Sequence, residues 1–120
     1  MALTFKQIIS AWGKCMNEND PSQLTELLAD DFVWHSAVPE HKAPSDDKAD
    51  KAETIEFTLG AEIRIGDYNT IYDGNDVVSG THSAMIDDGT EKVVFCQGLL
   101  TEGGTKVKSW RHLIGDYPES

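Results

Sequence analysis

The chain has 120 residues, ten of them basic and twenty-one acidic, for a formal net charge of −11. That length suits one hydrophobic core with a modest pocket and excludes two lobes, so residues 1–120 read as a single domain. So acidic a surface repels phosphate backbones and anionic lipid headgroups, which sets aside nucleic acid and membranes as partners.

Met1 to Lys6 holds no basic segment leading into an apolar stretch, and no run approaches the ~20 apolar residues of a membrane span. A soluble, cytoplasmic protein is expected. Cys15 and Cys96 show no C-x-x-C spacing and are too few for a disulfide scaffold, so they read as buried, reduced thiols.

Thr4-Phe-Lys-Gln7 is a capping box, and Ile8, Ile9, Trp12, Cys15 and Met16 then recur at helical spacing. A second helix starts at Asp20-Pro21-Ser22-Gln23, with Asp20 as N-cap and Pro21 at the first helical position; Leu24, Leu27 and Leu28 form its buried face. Asp31 to Ser36 alternates as a strand with Phe32, Trp34 and Ser36 on one side. Ala37 to Ser45, with two prolines and no period, is a loop placed to cover a pocket mouth. Ser45 caps a third helix with Asp46, Asp47 and Asp50 in its first turn and a stripe of Ala52, Ile55 and Leu59. From Ile63 onward strands are joined by glycine turns. Helices followed by an antiparallel sheet make an α+β domain with the helices on one face of the sheet.

The turns set a register. Two-residue loops at Gly74-Asn75, Asp88-Gly89 and Gly103-Gly104 pair Asp73 with Asp76, Asp87 with Thr90 and Glu102 with Thr105. Counting back places Asp67, His82, Phe95 and His112 in one row, with Gln97 opposite Trp110. Ile63, Ile65, Ile86, Val93, Leu99 and Ile114 continue that inner face as an apolar wall. A bulge at Gly66 or Gly80 would flip every residue beyond it to the other side. The outer face then carries Met85, Val94, Cys96, Leu100, Val107 and Leu113, which predicts a homodimer burying that face with Arg111 near its centre or rim.

Asn19-Asp20 before the second helix, Leu28-Ala29-Asp30-Asp31-Phe32 at its end and Lys106-Val107-Lys108-Ser109-Trp110-Arg111-His112 in the last strand occur in an order that resembles the SnoaL-like group of the nuclear transport factor 2-like superfamily. The resemblance covers nearly all of the chain. It implies a curved sheet wrapped around helices as a cone with an apolar cavity, commonly in a homodimer. Such proteins include polyketide cyclases, ketosteroid isomerases, dehydratases, epoxide hydrolases and domains that only bind, so fold does not set function. Ketosteroid isomerases use a tyrosine and two aspartates at positions that align here with Trp12, Ser36 and Gln97, which disfavours their mechanism. The acid that SnoaL-like cyclases often carry in the last strand is His112 here.

On this reading His82, oriented by Asp67, serves as a base, and His112 or Gln97 donates to a developing oxyanion. Trp12, Trp34, Phe95 and Trp110 offer flat apolar surface to a ring-shaped ligand. His35 and His41 lack zinc-site spacing, and there is no glycine-rich phosphate loop or nucleophile elbow, so neither a metal nor a cofactor is expected. The chain reads as a small cofactor-independent isomerase, cyclase, dehydratase or hydrolase acting on a small apolar, cyclic molecule. The alternative is a non-catalytic ligand-binding or dimerisation domain. An open cavity of ~300 Å³ or more favours the first, and a cone filled by its own side chains favours the second.

Overall fold

A computed structural model describes residues 2–35, 48–61, 63–86 and 89–116. Its elements run α1 (Phe5–Glu18), α2 (Ser22–Leu27), β1 (Leu28–His35), β2 (Lys48–Asp50), α3 (Lys51–Gly60), β3 (Ile63–Asp73), β4 (Val77–Ile86), β5 (Glu91–Leu100), a 3₁₀ turn (Glu102–Gly104) and β6 (Val107–Asp116). The strands form one open, curved sheet in the order β2-β1-β6-β5-β4-β3, and the expected α+β class holds. β3 to β6 meander antiparallel, whereas β1 lies parallel to β6. Between helices and sheet sits a core that includes Phe5, Ile8, Trp12, Leu24, Phe32, Val78, Leu100 and Trp110.

Local chemistry explains the helices. The capping box at α1 is formed: Gln7 N–H donates to Thr4 Oγ1 (3.2 Å) and Thr4 N–H to Gln7 Oε1 (2.9 Å). A third first-turn donor, Phe5 N–H, reaches across the fold to Asp73 Oδ1 at 2.8 Å. Asn19, left-handed at φ 55°, closes the helix. Asn17 then ties the last turn of α1 to β3. Its amide donates to Ile65 O (2.9 Å) and accepts from Ile65 N–H (3.0 Å), as a neighbouring strand would.

Several boundaries move, each for a tertiary reason. Asp20 accepts from the Ser22 amide and hydroxyl, but the N-cap of α2 is Pro21, not Asp20 as expected, and Leu28 belongs to β1, drawn out of the helix by pairing with Val107 of β6. Residues 48–50, expected in the third helix, instead form β2 against Val33–His35. Asp50 is therefore the N-cap of α3, accepting from Glu53 N–H at 2.9 Å, and not a first-turn acid. Ser36, the loop Ala37 to Ser45, Asp46 and Asp47 lie outside the described residues. The buried face of α3 is Thr54 and Thr58, whose hydroxyls donate to Asp50 O and Thr54 O, each at 2.7 Å, while Ala52 is exposed.

The turns decide the faces. Gly74 N–H donates to Val77 O, so the first loop is Asn75-Asp76. β3 then carries two one-residue irregularities, between Thr70 and Tyr72 and between Ile65 and Tyr68, which together return it to the expected pairs Ile65 with Ala84 and Ile63 with Ile86. In the second hairpin Ile86 N–H donates to Thr90 O, so three residues separate the paired ends instead of two. That slides β5 by one position, pairing His82 with Val94 and not with Phe95. An irregularity between Leu99 and Leu100 restores β6, with Cys96 opposite His112 and Gly98 opposite Trp110. Because side chains alternate, one slip inverts β5 and the second puts β6 back. Val94, Cys96, Leu100 and Val107, expected outside, are therefore buried; Phe95 and Gln97, expected inside, are exposed on the outer face beside Leu113 and Arg111.

Candidate functional site

A pocket opens on the inner face where α1 and α3 lean over the sheet. α1 supplies Ile9, Trp12 and Met16, α3 supplies Phe57, β1 Trp34, and β3 Ile63 and Ile65. His82 and Ala84 come from β4, Val94 from β5, and Trp110, His112 and Ile114 from β6. Its open volume is about 70 Å³, well under the ~300 Å³ at which ordinary small-molecule sites begin. Side chains fill much of the cone.

Aromatic packing sets the walls. Trp110 stacks on Phe5 (6.0 Å, 13°) and leans on Trp12 (5.1 Å, 32°). It lies against the bare Cα of Gly98, where a Cβ would come within 2.6 Å of the indole, and Phe5 lies as closely on Gly80. Trp34 meets Phe57 at 5.0 Å and 67°, and meets the His112 imidazole edge-on at 5.0 Å and 87°. The Cys96 thiol, buried beneath Trp110, is pushed up to about 12 chiefly by burial, and burial followed by the Asp20 charge raises Cys15. Neither thiol has the depressed pKa of a nucleophile.

Among the described residues, the ionisable side chains lining the pocket are the two imidazoles. Burial lowers the His82 pKa, partly offset by a contact of Nδ1 with the Ser83 carbonyl oxygen at 3.0 Å. Burial, then the nearby His82, lowers His112 to about 4. Both rings are neutral at physiological pH.

The structure thus brings together five of the expected site residues: His82, His112, Trp12, Trp34 and Trp110. It does not bring Asp67, Phe95 or Gln97. Asp67 sits in the Gly66–Asp67 irregularity, exposed, in a shallow outer depression with Arg64, Ser83, Met85 and Glu91. The group that holds His82 is a backbone carbonyl, not the Asp67 carboxylate. Phe95 and Gln97 turned outward with β5. Ile9, Met16, Phe57, Ala84 and Val94 are lining residues that the sequence reading did not assign. Ile9 and Met16 stood in the α1 stripe, and Val94 follows once Gly89, at φ +83°, is taken as the left-handed third residue of a three-residue loop. Phe57 lies off the apolar stripe of α3 and gives no signal in sequence.

No family model matches the chain, and comparison with curated proteins gives no match. Solved structures do match over nearly its whole length. A nuclear transport factor 2-like protein of unknown function from Mesorhizobium loti is 18% identical, with a TM-score of 0.68 over 91% of this chain and 88% of that one. The fold is that of the nuclear transport factor 2-like proteins. BvnE pinacolase from Penicillium brevicompactum shares this fold at 16% identity and TM-score 0.60, covering 95% of this chain and 88% of its own. A protein of unknown function with a cystatin-like fold from Methylobium petroleophilum reaches TM-score 0.73 at 9% identity, over 96% and 77% of the two chains. The nuclear transport factor 2-like fold implied by the resemblance read from the sequence is borne out by these structures. Among the described residues no helix is long and apolar enough to cross a membrane.

Proposed function

We propose that the pocket binds a small, neutral, largely apolar molecule and acts on it by proton transfer without a cofactor. One observation carries this reading: two neutral imidazoles, one lowered to about 4, line a pocket otherwise walled by aromatic and aliphatic side chains. Desolvating an imidazole is unfavourable, and a core without a chemical task would more readily hold an apolar residue there. The fold is shared by a pinacolase and by proteins of unknown function, so the site has to supply the argument. Isomerisation, cyclisation, dehydration and hydrolysis all draw on such a pair.

The volume of about 70 Å³ favours a second reading, a non-catalytic domain whose cone is filled by its own side chains. NMR separates the two. Titration with cyclopentanone should move the indole N–H signals of Trp34 and Trp110, whereas cyclopentanecarboxylate and cyclopentylamine should not. Unmoved signals with all three leave only the filled cone. For assembly, the proposal is a homodimer through the outer face, supported by half-exposed Met85 and Leu113, both expected there, and by Phe95, while Val94, Cys96, Leu100 and Val107 are buried instead. A monomer in sedimentation at micromolar concentration removes it. A cytoplasmic location belongs with these proposals, supported by two buried free thiols.

A further inference from the structure

We infer that the depression on the outer side of the β3 bulge is a binding site of its own, for a free amino acid with a basic side chain. The irregularity that takes Asp67 out of the inner pocket builds it. Gly66 and Asp67 on β3 face one residue, Ser83, on β4, because the pairing passes from Ile65 with Ala84 directly to Tyr68 with His82. Arg64, Asp67, Ser83, Met85 and Glu91 surround an open volume of about 450 Å³, within the range of small-molecule sites.

Ser83 is the residue that points to a ligand. It lines the depression at 8% exposure, and its hydroxyl has no hydrogen-bond partner among the described residues. A buried hydroxyl without a partner is unfavourable, and a ligand's donor relieves it. The oxygen sits 2.3 Å from where a Cβ on residue 66 would be, so glycine at that position leaves the hydroxyl its place. The charges around it are also unspent. Among the described residues the side chains of Arg64, Asp67 and Glu91 form no ion pair or hydrogen bond with one another or with a third group. Arg64, Met85 and Glu91 are successive partners across β3, β4 and β5, so Met85 stands between the two charges. Two strand spacings, about 10 Å, separate the backbones of Arg64 and Glu91.

A basic amino acid mirrors this set. Its carboxylate meets the Arg64 guanidinium in a forked pair, and its α-ammonium donates to Asp67, on the same strand, and to Ser83 Oγ. The methylene stem lies over Met85, and the distal cation reaches Glu91 on β5. One guanidinium and two carboxylates thus face one carboxylate and two cations. A plain anion is repelled by the two acids and by the net charge of −11, and a plain cation leaves Arg64 unmatched. The depression lies four residues along the strands from the Thr81, Phe95 and Leu113 row, about 13 Å, so a partner copy centred on that row need not cover it.

Amide NMR and calorimetry with L-lysine test this. Lysine should move the signals of residues 64–67 and 83–85 and bind at about millimolar concentration or tighter. Lysinamide, which lacks the carboxylate but carries more positive charge, and norleucine, which lacks the distal cation, should each bind about tenfold or more weakly. Arg64→Gln should weaken lysine about tenfold and leave lysinamide unchanged, and Glu91→Gln should weaken lysine about tenfold and leave norleucine unchanged. Ser83→Ala should weaken all three alike. Lysine that does not bind at ~10 mM overturns the site. Lysinamide binding as tightly as lysine, or signals that move across the whole acidic surface, reduces the effect to attraction of cations and overturns it too. Either charge variant weakening its matched analogue as much as lysine overturns the assignment of groups.

Discussion

Acidification should destabilise this fold through His112, in a window whose sign follows from its depressed pKa. The folded ring titrates at about 4 against an ordinary 6.5. As pH falls through the unfolded value, the unfolded chain takes the proton first, so stability declines from about pH 6.5 down to about pH 4 and is flat below for this group. Between pH 7.5 and 4 the loss is about 3 kcal/mol, from 1.36 kcal/mol per tenfold difference in proton affinity. His112→Leu removes the titration while keeping an apolar contact to Trp34. At pH 4 the variant should therefore gain about 3 kcal/mol on the wild type, relative to their difference at pH 7.5. With a urea slope of about 2 kcal/mol per molar, that is a midpoint shift of about 1.5 M. Urea unfolding followed by tryptophan fluorescence at pH 7.5, 5.5 and 4 reads it, and the acidic residues titrate equally in both chains and cancel. A gap between variant and wild type that stays constant across the three pH values would refute the claim that His112 is buried and neutral.

Gly98→Ala should cost about 1–3 kcal/mol, because the new methyl lies 2.6 Å from the Trp110 ring; thermal unfolding at pH 7.5 checks it, and an unchanged midpoint means the indole moves freely. Asn17→Ala removes both hydrogen bonds to Ile65 and should destabilise by about 1–3 kcal/mol, with amide exchange at Ile65 accelerated more than elsewhere in β3. Asp67→Asn should leave stability within about 0.5 kcal/mol and the NMR titration of His82 in place; a moved titration would restore the carboxylate to the site.

Much of this molecule was legible in its sequence because the signals are local. Thr4 and Gln7 close a box within one turn, the stripe from Ile8 to Met16 keeps a helical period, and glycine-bearing turns mark where the later strands end. These require only neighbouring residues to agree, and they were enough for the α+β class, for five members of the pocket and for both histidines on one face. What they leave open is decided by distant partners. Residues 48–50 became a strand because β1 offered an edge, and β1 itself started early because Val107 pairs with Leu28. Thr54 and Thr58 were taken into the core, their hydroxyls satisfied by carbonyls one turn back. The faces of the sheet were set by single residues in turns and bulges. With a side-chain period of two, one extra residue after Ile86 exchanged Phe95 and Gln97 for Val94 and Cys96, and one at Gly66–Asp67 put Asp67 outside. His82 and His112 reached the same pocket because the slip before β5 is undone before His112. Side-chain direction in a sheet depends on the parity of the whole path, and only the closed tertiary structure shows whether that count is even or odd.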